Sequence, residues 1–165
     1  MKWLLIAPAV VLGLVAAAAL IGALLPKTHV ASRSARLGQP PEAVWAAITG
    51  PPDWRPEIKS FEALPPRDGH RRWREIDRHG QAITFEEVEA IPPKRLVGRI
   101  ADTNLAFGGG WTYDITPVSG GCILTITENG EVYNPIFRFV SRFIVGHTAT
   151  LDAYLKALRA KLGEA

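Results

Sequence analysis

Three patterns of apolar and polar positions follow one another along the chain. Between Trp3 and Leu25 no residue is charged and no face is polar. These residues, about 23 of them, read as one helix, since about 20 suffice to cross a bilayer. Short alternating runs, separated by Gly, Pro and Asp turn signals, then continue to Val132 and read as strands. Beyond Asn134 and Pro135, an N-cap followed by a proline at the first helical position, apolar residues return at helical spacing as far as Leu162.

The strand region opens on an extended run from His29 to Leu37, closed by Gly38 and the pair Pro40 and Pro41. Pro41 and Glu42 suit the first turn of a helix carrying Val44, Trp45 and Ile48. Gly50, Pro51 and Pro52 end it, and a short turn is expected from Asp53 to Ile58. Strands are then expected from Ser60 to Leu64, Arg71 to Asp77, Gln81 to Ile91, Lys94 to Ala101, Gly110 to Val118 and Cys122 to Val132. Alternation in the third slips at Glu86 and Glu87, the mark of a bulge. Gly108 to Gly110 read as a flexible loop. The last helix carries Ile136, Val140, Phe143, Ile144, His147, Leu151, Tyr154, Leu155, Leu158 and Leu162 as one inward stripe. Arg138, Arg142, Asp152, Lys156 and Arg159 fall largely off it.

Short connections make the sheet antiparallel, and one long amphipathic helix has to cover one of its faces. The expected fold is α+β: a curved antiparallel sheet gripping a long C-terminal helix, preceded by an N-terminal transmembrane helix. Residues 1–26 are the anchor and 27–165 the domain. A cleavable signal peptide would end its apolar core before Leu20 to Leu25, which continue it. Lys2 and Trp3 suit one bilayer interface and Lys27 the other. Lys2 favours an internal N-terminus, whereas Lys27, Arg33 and Arg36 pull the other way. The balance leans towards a cytoplasmic domain on a single-pass membrane protein.

Charge and composition add mostly exclusions. A net charge of +3 gives no argument for nucleic acid. Trp73 among Arg71, Arg72 and Arg74 invokes single-strand nucleic-acid binding, but the anchor and the small net charge argue against it. The same hairpin reads as contact with anionic headgroups or as a solvated hairpin, and the interleaved Asp68, Glu75 and Asp77 favour the second. A single cysteine, Cys122, excludes an intrachain disulfide and a Cys-rich zinc site. His29, His70, His79 and His147 lack zinc-binding helical spacing, and no acidic run has calcium-loop spacing. No metal and no cofactor is therefore expected. No serine sits in a nucleophile elbow, and Gly108 to Gly110 precede a strand where a phosphate loop precedes a helix. No catalytic residue is assigned.

Several short segments stand in a particular order: Pro41-Glu42-Ala43-Val44-Trp45, Asp53-Trp54, Phe107 ahead of Trp111-Thr112-Tyr113, and Glu128-Asn129-Gly130-Glu131-Val132 ahead of Asn134-Pro135. With the element order, this resembles the START-like or helix-grip (SRPBCC) superfamily, in its polyketide cyclase/dehydrase-like bacterial branch. The resemblance runs from about His29 to Leu162. It implies a pocket between sheet and helix, with a lipid or other apolar small molecule as partner.

Phe85, Phe107, Trp111, Tyr113, Phe143, His147 and Leu151 are the residues expected to bind that ligand. His147 is the most informative of them. It reads as a core imidazole bonded to a strand residue, or as a polar or acid/base group inside the cavity. Tyr113, Asp114 and Glu128 join it only if their strands turn them inward. The leading expectation is a membrane-anchored binding module. The alternatives are a cyclase/dehydrase-type enzyme using His147 and a carboxylate, and a protein-interaction domain at the membrane. Fold alone does not choose among them.

Overall fold

The computed structural model describes residues 2–164. The first element, α1 (Lys2–Leu24), is an apolar helix whose side chains from Ala7 onward are almost all exposed. It is long and apolar enough to cross a bilayer, a test that a signal sequence also passes. The side chains of Lys2 and Trp3, expected at an interface, lie outside the described residues.

Seven strands follow: β1 (Thr28–Leu37), β2 (Ile58–Arg67), β3 (His70–Asp77), β4 (Ala82–Ile91), β5 (Arg95–Ile100), β6 (Phe107–Val118) and β7 (Gly121–Val132). They form one antiparallel sheet in the order β1-β7-β6-β5-β4-β3-β2. All neighbours but one are consecutive in the chain. The exception pairs β1 with β7, so β1 and β2 are the two edges and α2 (Pro41–Thr49) carries the chain between them. The hairpin at Asp68 and Gly69 has both residues at positive φ, as this dipeptide favours. The expected bulge is a register shift between Glu87 and Glu89.

Alternation decides which face is buried. On β7, Cys122, Leu124 and Ile126 point inward; on β1, Ala31, Ala35 and Leu37 do. Onto them pack Val44 of α2 and Leu151, Leu155 and Leu158 of the C-terminal helix α4 (Ala149–Lys161). These residues are the core. The fold is an α+β helix-grip, as the sequence pattern implies.

Three expectations need correcting. The terminal helix is broken into α3 (Pro135–Val140), a π-helical turn over Ser141–Val145, and α4. The Gly146 N–H reaches back five residues to the Ser141 carbonyl (3.0 Å), and Gly146 itself has φ 82°. The longer ring and the break change the phase of the helix. The α4 stripe is buried as expected, whereas Phe143 and Ile144 are 59% and 70% exposed. Conversely Arg138, expected to face outward, is only 8% exposed.

Gly108, Gly109 and Gly110 are not a loop; they belong to β6 and pair with Glu131, Gly130 and Asn129. A Cβ at Gly109 would overlap the Asn129 carbonyl, and one at Gly110 would lie 2.6 Å from the Gly98 carbonyl. Glycine here permits close strand approach. Finally, β2 runs past Leu64 through Pro65 and Pro66, which an edge strand tolerates because its outer N–H groups have no partner to lose.

Candidate functional site

Sheet, α2 and α4 do not close on one another. Between them lies a cavity of about 830 Å³, within the range of sites for drug-sized ligands. Its walls are mainly apolar, with Ile48, Phe61, Ile83, Phe85, Phe107 and Ile126 among them. Of the seven residues expected to bind ligand, Phe85, Phe107, Trp111, Tyr113, His147 and Leu151 line this cavity. Phe143 does not: the π-helical turn carries it outward, where its ring packs on Phe139 with centroids 5.0 Å apart.

Five carboxylates line the cavity, Glu57, Glu75, Asp77, Glu128 and Glu131, and two of them, Glu128 and Glu75, each gather a cluster of side-chain donors. Glu128 continues the inward parity of Cys122, Leu124 and Ile126 along β7. One of its oxygens lies 3.2 Å from His29 Nε2. The other accepts from Trp111 Nε1–H at 3.1 Å and from the Thr150 hydroxyl at 3.2 Å. His29 stacks on His147 with ring centroids 4.0 Å apart. His147 Nδ1 is 3.1 Å from the Ser141 hydroxyl. Burial lowers the His147 pKa below its usual value, and His29 and Arg142 nearby push it further down against an opposing pull from Glu128. The imidazole is thus held neutral at physiological pH, able to give or take one hydrogen bond at each nitrogen.

Glu75 on β3 is the second carboxylate. Arg55 Nη1 donates to both of its oxygens, at 2.9 and 3.1 Å, and Trp73 Nε1–H adds a third bond at 3.2 Å. Arg55 is also held by Glu57 at 2.8 Å. Its guanidinium lies over the Tyr154 ring, 5.5 Å from the centroid. Tyr113 and Tyr154 face each other at 5.7 Å. Burial pushes the Tyr113 hydroxyl up to about 12 and raises that of Tyr154 as well. Both stay protonated at physiological pH and serve as neutral hydrogen-bonding groups.

The family model described as polyketide cyclase / dehydrase and lipid transport matches residues 28–163, from the first strand to the end of the last helix. The chain belongs to this family. Solved structures agree on the fold. Protein MLL2253 from Mesorhizobium loti superposes with a TM-score of 0.64 at 19% identity, covering 83% of this chain and 98% of that one. Norcoclaurine synthase from Thalictrum flavum gives 0.62 at 14% identity, over 84% and 88%. The di-domain aromatase/cyclase StfQ of the steffimycin biosynthetic pathway gives 0.64 at 11%, over 81% of this chain and 50% of its own. No curated protein matches the sequence. Family membership supports hydrophobic-ligand binding or cyclase chemistry in the cavity, and identities this low carry the fold alone.

Sequence reasoning missed His29, Ser141, Thr150, Arg55 and Glu75 as cavity residues, whereas Tyr154 lines it as its place on the inward stripe implies. His29 was within reach, because it shares the inward parity of Ala31, Ala35 and Leu37 on β1. Glu128 was weighed but left open, although its parity with Ile126 was visible. Thr150 and Ser141 depend on where the terminal helix breaks, and Arg55 lies in an irregular turn with no period to read. Among the described residues no group of three or more His, Cys, Asp or Glu side chains could hold a metal ion.

Proposed function

We propose that the chain is a membrane-tethered binding module. It holds an amphiphilic small molecule, apolar over most of its length with one hydrogen-bonding end, in the cavity between sheet and α4. One observation carries this reading: a cavity of about 830 Å³ with mostly apolar walls and localised polar clusters. Apolar walls supply affinity by removing ligand surface from water, about 25 cal/mol per Å². Glu128, His29 and His147 then fix the orientation of the polar end. In this reading α1 is the tether, residues 27–165 are the binding domain, and the bilayer is the reservoir of ligand. The six expected residues that line the cavity are its contacts.

Native mass spectrometry of the full chain, released from gentle detergent, tests the proposal. A retained amphiphile, lost when Phe85 is replaced by Glu, is the expected result. A chain that carries no adduct and takes up no offered fatty acid, sterol or aromatic polyketide would sink it.

A second reading has its own support. An imidazole held neutral, stacked on a second imidazole that touches a carboxylate, can accept a proton from bound substrate and return it elsewhere. This is the arrangement a cyclase or dehydrase would use, with His147 and Glu128 in the acid/base roles. It predicts turnover of a carbonyl-rich substrate that falls roughly 10²–10⁴-fold in His147→Gln. Binding without turnover across such substrates would leave the tethered binding module as the reading that stands.

A further inference from the structure

Beside the main cavity lies a second hollow of about 350 Å³, under the end of α1. It is bounded by Leu25 to Val30, by Val132, and by Arg138, Arg142 and His147. Three of these residues are basic, Lys27, Arg138 and Arg142, and no carboxylate is among the described lining residues. Several arginines elsewhere meet acids: Arg33 with Asp152, Arg55 with Glu75, Arg67 and Arg99 with Glu86, Arg95 with Asp114. Arg36 and Arg78 donate instead to the Ser119 and Pro56 carbonyls, and Arg72, like Arg138, has a buried Nε without a partner among the described residues. The group around the hollow differs in gathering three cations where no carboxylate is among the described lining residues.

Arg138 is the sharpest case. It is 8% exposed, and its Nη1 donates to the Leu25 carbonyl at 2.7 Å. Its Nε has no hydrogen-bond partner among the described residues. A buried guanidinium donor left unmatched is costly, and a buried cation normally has an anion beside it. The missing partner is an anion with oxygen acceptors.

The position of the hollow says where that anion comes from. Arg138 sits on α3, which packs against the last turn of α1: Gly22 is in contact with the Pro135 carbonyl at a place where any side chain would overlap. The contact lies within about 5 Å of the helix end, at 1.5 Å per residue. That is headgroup depth if α1 spans a bilayer. The same segment exposes Ile136, Phe137, Phe143, Ile144 and Val145, which suits the headgroup and acyl boundary and not water. His29, Val132 and His147 line both the hollow and the main cavity, so the stacked histidine pair is part of the partition between the two.

We propose that the hollow is a binding site for the phosphate of an anionic membrane lipid, held by Arg138, Arg142 and Lys27 where α1 meets the domain. It rests on the reading of α1 as a membrane span, and it adds a lipid site separate from the main cavity. A seated phosphate gives Arg138 Nε its acceptor and offsets part of the group's positive charge. It also holds α3 and the π-helical turn against the bilayer surface, next to the wall of the ligand cavity.

The test uses the full chain in nanodiscs of phosphatidylcholine with one part in five phosphatidylglycerol, followed by native mass spectrometry of lipid retained on release. The expected result is enrichment of phosphatidylglycerol adducts. Arg142→Gln and Lys27→Gln should each lower that enrichment about fivefold, the effect of one basic residue at an anionic surface. Lys94→Gln, in the turn between β4 and β5, should leave it unchanged. Both test positions are surface changes that spare the buried Arg138. Equal loss in Lys94→Gln would reduce the effect to general surface charge and overturn the site. So would retention of both lipids in proportion to their abundance. Inorganic phosphate added to pure phosphatidylcholine discs distinguishes the source. Saturable binding of free phosphate, with no preference for the anionic lipid, would overturn the lipid assignment. Failure of the chain to enter discs at all would sink the tether and this site together. Entry without lipid preference, with amphiphile still bound in the main cavity, would sink this site alone.

Discussion

Glu75 and Glu128 face one cavity from opposite parts of the sheet, and they are neutralised in different ways. Glu75 is matched by the guanidinium of Arg55, through both oxygens, with Trp73 and Glu57 completing the set. Arginine stays charged at any pH the protein meets, so that pair has one state. Glu128 is matched by an indole N–H, a hydroxyl and an imidazole. Two of those donors are neutral, and the third belongs to a stacked histidine pair. Its surroundings can change with protonation and with ligand. The first carboxylate fastens the wall of the cavity; the second is placed to respond to what enters. A set of substitutions can break this contrast.

The largest effect is expected at the fastened pair. Arg55→Gln removes the charge but leaves Glu75 buried, with Trp73 as its remaining donor. Losing one member of a buried ion pair costs about 3–5 kcal/mol. Urea unfolding in mild detergent should show this as a lower midpoint with an unchanged slope. A loss under 1 kcal/mol would mean that the pair is solvated and that the two carboxylates are more alike than their partners suggest.

Glu128→Gln should cost less, about 1–3 kcal/mol, since a glutamine retains one acceptor while its amide faces a donor already present. Its larger consequence should be in ligand retention, which Arg55→Gln should leave intact wherever the fold survives. Adduct abundance at matched folded concentration separates the two. Equal retention in both variants would erase the functional distinction.

How much of this could be read from the sequence depends on periodicity. The sheet was legible because its connections are short and β6 and β7 alternate cleanly, so Trp111, Tyr113 and Ile126 fall on the cavity side. The α4 stripe was legible for the same reason, with Leu151, Leu155 and Leu158 one turn apart. Phe143 was misplaced because a π-helical turn changes phase without leaving a signature in residue type. Arg138 was misplaced because its neighbour is α1, more than one hundred residues earlier. Partnerships of that kind, like His29 with Glu128, are set by strand order, and β1 pairing with β7 is not a local property.

Gly146 tests the break between α3 and α4. Its φ of 82° is open to glycine and strained for any other residue. No heavy atom would crowd a new Cβ there, so Gly146→Ala isolates backbone strain, at about 1–3 kcal/mol for a conformation essentially confined to glycine. If the alanine variant is instead more stable, the two segments join into one helix. His147 and Ser141 would then separate, and amphiphile retention should fall without loss of fold.

The smallest effect, and the most diagnostic, is expected from His147→Gln. Glutamine keeps a donor and an acceptor near the ring nitrogens, so stability at neutral pH should change by no more than about 0.5–1.5 kcal/mol, one net hydrogen bond. The pH dependence is where the variant should depart. The folded protein holds His147 below its usual value of 6.5, through burial and then through His29 and Arg142. The unfolded chain therefore binds more protons on this residue over the interval between the lowered value and 6.5. Stability rises with pH across that interval, and it is lost as pH falls through it. Above 6.5 both states are neutral and the contribution is complete. The variant has no such group, so the difference in stability between parent and variant should shrink as pH falls from about 7 to 5, the range of ordinary histidine titration. A difference that stays constant over that range would mean that His147 is solvated and normally titrating. The responsive half of the comparison would then lose the contribution of His147.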